Sequence, residues 1–205
     1  MTMKTIFLAV IATFLFTGCS TLVPQVNEFS LLTIGETSTQ SATTTASSKT
    51  LQYQRIKAPA SLSSKAILYT KHDQEVGRYL YSSWSDTPVS MMESSTIWAV
   101  QESRLFANVI PSHSQSSGDY ILESDLNALY HQIIDPASSK GFIDITYRLI
   151  DVRSRQGIAT KRFIVTHPSD TQDAIGGVKA LKKSMDELNV QIIQWLQTTI
   201  DTKKL

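Results

Sequence analysis

The chain has 205 residues, a formal charge of +1 and a single cysteine. That length suits one domain with a tether, the near-neutral balance leaves no electrostatic footprint for nucleic acid, and one cysteine excludes a disulfide framework. No apolar run approaches the roughly 20 residues that cross a bilayer.

Lys4 is the only charge before Cys19, and Ile6 to Phe16 is almost wholly apolar. A short basic start, an apolar run and small residues predict a secretory signal peptide over 1–18. Phe16-Thr17-Gly18-Cys19 resembles the lipobox of bacterial lipoproteins, with Phe16 where Leu is usual. The resemblance implies a diacylglycerol on the Cys19 thiol, cleavage that makes Cys19 the new N-terminus, and an N-acyl chain there. Each buried methylene contributes about 0.8 kcal/mol, so two or three acyl chains hold a protein firmly to a membrane. Without Lys4, residues 19–205 are formally neutral. Ser20 stands where an Asp tends to retain enteric lipoproteins at the inner membrane, which favours the outer membrane on its periplasmic face.

Residues 19–27 read as the tether, 28–200 as the folded domain and 201–205 as a tail. Phe29 to Ile34 predicts a short strand. Thr37 to Thr50 follows, with ten Ser or Thr in fourteen positions; it has too little apolar surface to offset its ordering entropy and reads as a flexible loop. Leu51–Ile56 and Lys65–Thr70 predict strands around the turn Ala58-Pro59-Ala60. Gly77 interrupts, and Arg78–Ser82 predicts another strand. Thr87-Pro88 starts a helix, with Thr87 as N-cap. Val89, Met92, Thr96, Ala99, Val100, Ser103 and Phe106 carry it at helical spacing to about Ala107.

Asp119–Ile134 alternates, with Tyr120, Leu122, Leu126, Ala128 and Tyr130 assigned to the core and Glu123, Asp125, Asn127 and His131 to solvent. Ile143, Ile145, Tyr147 and Leu149 define a second strand. After the polar turn Asp151–Gly157, a third runs over Ile158–Thr166 with Phe163 and Val165 inward. Three antiparallel strands in a meander are the economical reading. Asp170 or Thr171 caps a last helix, where Ile175, Val178, Leu181, Met185, Leu188, Ile192, Trp195 and Thr199 form one stripe that Gly176-Gly177 weakens at its start. The fold class is an α+β two-layer sandwich, a mostly antiparallel sheet with two helices packed on one face.

No catalytic constellation accompanies this pattern. His72, His113, His131 and His167 fall in different elements without metal-ligand spacing. There is no phosphate-binding glycine loop and no nucleophile elbow. Asp125 and His131 lie about 20 Å apart along a strand. The expectation is a protein that is not an enzyme and needs no metal or cofactor beyond the lipid on Cys19. Tyr79, Tyr81 and Trp84 read either as core aromatics or as rings that contact a partner or lipid. Trp195 reads likewise, as core or as partner interface.

The order of several short pieces resembles a known family. They are Phe29-Ser30-Leu31, Ala58-Pro59-Ala60-Ser61-Leu62, Ala66-Ile67-Leu68-Tyr69, Val76 through Trp84 with Tyr-x-x-x-x-Trp, Pro88 and the helix before Leu105-Phe106, and Asp119-Tyr120-Ile121-Leu122. Over roughly residues 28–200 the chain resembles the ABC-type transport auxiliary lipoproteins, a family that includes the paraquat-inducible C lipoprotein of the Pqi system. The resemblance implies a non-ATPase, periplasm-facing part of an ABC transporter that moves lipid between the two membranes of Gram-negative bacteria. Its implied partners are an MCE-domain protein and the ABC permease and ATPase, with a homo-oligomer as a further expectation. A cell-envelope assembly or scaffold lipoprotein, such as a wall-synthesis regulator or a secretion-complex subunit, is the alternative reading.

Overall fold

A computed structural model describes residues 25–31, 47–71 and 75–203. The expected signal peptide, Cys19, His72 and most of the Ser/Thr-rich segment lie outside these residues. The strands are β1 (Asn27–Phe29), β2 (Ser47–Tyr53), β3 (Ala66–Lys71), β4 (Glu75–Trp84), β5 (Phe106–Pro111), β6 (Tyr120–Asp135), β7 (Ser138–Asp151) and β8 (Gln156–Pro168). The helices are α1 (Pro88–Glu102) and α2 (Ala174–Lys203), with a 3-10 turn at Ala60–Ser63.

β6, β7 and β8 form the expected antiparallel meander. β6 is long enough to share its other edge between two partners. β2 lies parallel to Tyr120–Leu122, with β5 beyond it, and β3 lies parallel to His131–Ile133, with β4 and then β1 beyond. The long ladders are therefore antiparallel, and the short flanking ones are parallel except for β3–β4, in a single eight-stranded sheet. Both helices pack against this sheet and each other, so the architecture is the α+β class expected.

The core side of β7 is Ile143, Ile145, Tyr147 and Leu149, facing Phe163 and Val165 of β8, all buried. From α2, Val178, Leu181, Met185, Leu188, Ile192, Leu196 and Ile200 cover them. Ile175, expected on the same stripe, is exposed. Fully burying one such side chain stabilises the fold by about 1.5–3 kcal/mol. Where the helices meet, the buried Asn189 donates to Ser95 Oγ (3.0 Å) and accepts from Thr96 Oγ1 (3.3 Å).

Several expectations need correction. α1 begins as predicted, with Thr87 Oγ1 accepting from Ser90 N at 3.3 Å and Pro88 in the first turn. It ends at Glu102 rather than Ala107, because Arg104 turns left-handed (φ 55°) and Phe106 opens β5, an unexpected strand. Ser47–Thr50 belongs to β2, not to a loop. Gly77 lies inside β4. β1 starts earlier than expected and ends at Phe29, the last residues of the expected strand (32–34) lying outside the described residues, and α2 runs to Lys203, into the expected tail. Asp173, not Asp170 or Thr171, caps α2, with Gly176 N in its first turn donating to Oδ1 at 2.8 Å.

The largest correction concerns β6. Leu126 pairs with Ile145 and Ala128 with Asp144, so Asn127 is an extra residue. Such a bulge shifts side-chain alternation by one. Leu122, Ser124 and Leu126 face the helices before it, and Leu129 and His131 face them after it. His131 is thus fully buried, whereas Ala128 and Tyr130 turn to the open face of the sheet.

Candidate functional site

The aromatic residues singled out in β4 and α2 occupy three different environments. Tyr79 is half-buried. Its hydroxyl shares a 2.7 Å hydrogen bond with His131 Nδ1 and lies 3.4 Å from the Gln172 carbonyl, which accepts from it. Its ring stacks on His131, with centroids 6.2 Å apart, and leans on Tyr69 at 5.0 Å. The cluster ties β4, β6 and the approach to α2 together. Burial, with help from Asp173 and Tyr69, holds the Tyr79 phenol well above its ordinary range. Desolvation pushes His131 below its ordinary value, against the pull of Asp173. Both groups are therefore neutral near pH 7. His131 Nε2 is enclosed and has no hydrogen-bond partner among the described residues. A neutral pair of this kind, with its histidine enclosed, braces three elements.

Trp84 is completely buried and belongs to the core, not to a contact surface. Trp195 is partly buried and packs edge-on against Phe163, with centroids 5.9 Å apart and an interplanar angle of 76°. Tyr81, in contrast, is exposed, as are its strand neighbours Leu80 and Val76. The split arises from a register slip. Ala66 pairs with Ser83 but Leu68 with Arg78, so β4 takes up more residues than β3 across this stretch. Simple alternation along β4 could not reveal it.

A cleft of about 320 Å³ lies beside the start of α1. Arg55, Ile56, Ser63, Thr87, Val89 and Glu93 are among the residues that line it. Desolvation raises the Glu93 carboxyl above its ordinary value, while Arg55 and His113 pull it down. Neither Arg55 nor Glu93 forms an ion pair among the described residues. The volume sits at the low end for small-ligand pockets, about 300–1,000 Å³. The mixed charged and polar lining lacks the continuous apolar wall that an acyl chain requires.

Opposite the helices, Asp144 accepts from Arg162 Nε (2.8 Å) and Asn127 Nδ2 (3.1 Å), which hold its carboxyl below the usual range. Tyr130 and Phe142 stack nearby, with centroids 5.0 Å apart and rings almost parallel. Among the described residues, no group of three His, Cys, Asp or Glu could hold a metal ion. No helix among them is long and apolar enough to cross a membrane.

Comparison with known proteins agrees with this architecture. The model of the ABC-type transport auxiliary lipoprotein component family matches residues 29–193, and the chain belongs to that family. A protein of Xanthomonas campestris shares 18% sequence identity, with a TM-score of 0.71 over 76% of this chain and 88% of that one. An uncharacterised protein matches at 10% identity and a TM-score of 0.65, covering 84% and 99% of the two chains. A hypothetical protein of Chlamydia trachomatis matches at 7% identity and a TM-score of 0.55, covering 75% and 98%. At such identities the likeness is one of fold. No curated protein matches.

Proposed function

We propose that this chain is a lipid-anchored accessory subunit of an ABC transporter that works with an MCE-domain protein to move lipid between the inner and outer membranes. Cys19 carries the acyl anchor, and Ser20 favours the periplasmic face of the outer membrane. The observation that carries this reading is the family match over residues 29–193, beginning ten residues after Cys19. The chemistry of the described residues suits such a role. The Tyr79–His131 pair is neutral and holds three elements together, and the cleft between Arg55 and Glu93 is small and polar. In this reading the subunit is not an enzyme; it supplies surfaces, and the ATPase and permease supply work and passage.

The test is affinity purification of the full-length protein from detergent-solubilised membranes, with mass spectrometry of proteins and lipids. Co-recovery of an MCE-domain protein with its permease is expected. Recovery of wall-synthesis or secretion proteins without any MCE-domain protein would overturn the transport role and favour a scaffold.

A further inference from the structure

Among the described residues, β1 pairs only with Ser82–Trp84, the last three residues of β4. Before them, the outer edge of Glu75–Tyr81 has no strand partner among the described residues. Large apolar side chains gather along this edge: Val76 is 67% exposed, Leu80 71% and Tyr81 59%, with Val26 at 49% just ahead of β1. Val76, Arg78 and Leu80 occupy alternate positions of the strand, a cation between two apolar side chains. Arg78 has no ion-pair partner among the described residues. Single exposed apolar residues are ordinary, but several sharing one edge mark a contact surface.

Chain direction says what lies against it. β1 runs parallel to β4, with Asn27 beside Ser82. The chain therefore approaches β1 from the Leu80–Tyr81 side, and Val26 falls one register step nearer Tyr81. Five residues lie between Cys19 and Gln25, a reach of about 20 Å even when fully extended. A domain of this size has a radius of gyration of about 15 Å. A tether so short keeps the β4 edge toward the anchored lipid and leaves β5, which flanks the far end of β6, away from it.

We propose that Val26, Val76, Leu80 and Tyr81, with Arg78 between them, rest on the lipid headgroup layer and orient the domain on its membrane. This rests on acylation of Cys19. The chemistry suits the interface: a Tyr presents an apolar ring and a polar tip, and an Arg meets anionic headgroups. Because tethering raises the effective concentration of the surface to the millimolar range, weak intrinsic affinity is enough.

The test uses the full acylated protein in phosphatidylethanolamine–phosphatidylglycerol vesicles that contain nitroxide-labelled lipid. An environment-sensitive fluorophore is attached through Leu80→Cys, and through Ser117→Cys beyond β5 as reference. The label at 80 is expected to shift blue and to be quenched several-fold more than the label at 117. Equal quenching at both positions overturns the proposal. A blue shift at 80 without lipid quenching also overturns it, because a protein then covers the edge. Intact mass separates the two readings: a chain without acyl mass overturns the anchor and the docking surface together, whereas an acylated protein with an unquenched label overturns the docking surface alone.

Discussion

Tyr79 Oη and His131 Nδ1 meet at 2.7 Å beneath the first turn of α2, where a Cβ on Gly177 would stand only 2.6 Å from the imidazole. Desolvation holds His131 below its ordinary pKa of 6.5. The unfolded chain therefore binds this proton at a higher pH than the folded one. The stability this contributes is fully present above about pH 6.5 and is lost as pH falls toward the folded value. Urea unfolding midpoints should drop between pH 7.5 and pH 5.5, and His131→Phe should remove part of that slope. An unchanged slope in the variant would refute the assignment. Gly177→Ala should destabilise at every pH, because the added methyl collides with a ring enclosed by Tyr79 and the helix.

Leu188 is completely buried on α2, facing the sheet. Leu188→Ala should cost about 2–5 kcal/mol in urea titration. A loss below about 0.5 kcal/mol would mean that the stripe is not core.

Asn189→Ala should cost about 1–3 kcal/mol, since Ser95 and Thr96 lose their shared partner in a buried helix interface. A double-mutant cycle with Ser95→Ala should show coupling, because both changes break one contact.

Arg104 sits in the left-handed region just beyond α1, where a Cβ is unfavourable by roughly 1–2 kcal/mol. Arg104→Gly should raise stability by up to about 1 kcal/mol, the gain being trimmed by the greater freedom of glycine in the unfolded chain. Thermal unfolding decides the sign.

Cys19→Ser should abolish acylation, because a hydroxyl replaces the sulfur nucleophile. Palmitate labelling of cells carrying each form is the measurement. Equal label in both would sink the anchor and, with it, the oriented docking of the β4 edge.

What the sequence by itself determined is whatever depends on near neighbours along the chain. The period-two run of β7, the start of α1 at Thr87-Pro88 and the stripe from Val178 to Ile192 are local patterns, and each folds as read. So does the three-strand meander, because short turns leave its strands few other partners. Tertiary structure decided the rest. Nothing near Asn127 in the sequence announces the bulge that buries His131; it follows from pairing with β7. The slip between β3 and β4 separates buried Trp84 from exposed Tyr81, and β5 owes its existence to a parallel partner far back in the chain. Gly176-Gly177 reads locally as a weak helix start, yet at Gly177 the lack of a side chain lets α2 lie close against His131. These features are set by register and close packing between distant segments. A single residue's offset there reverses which face is buried, and local propensity carries no record of that offset.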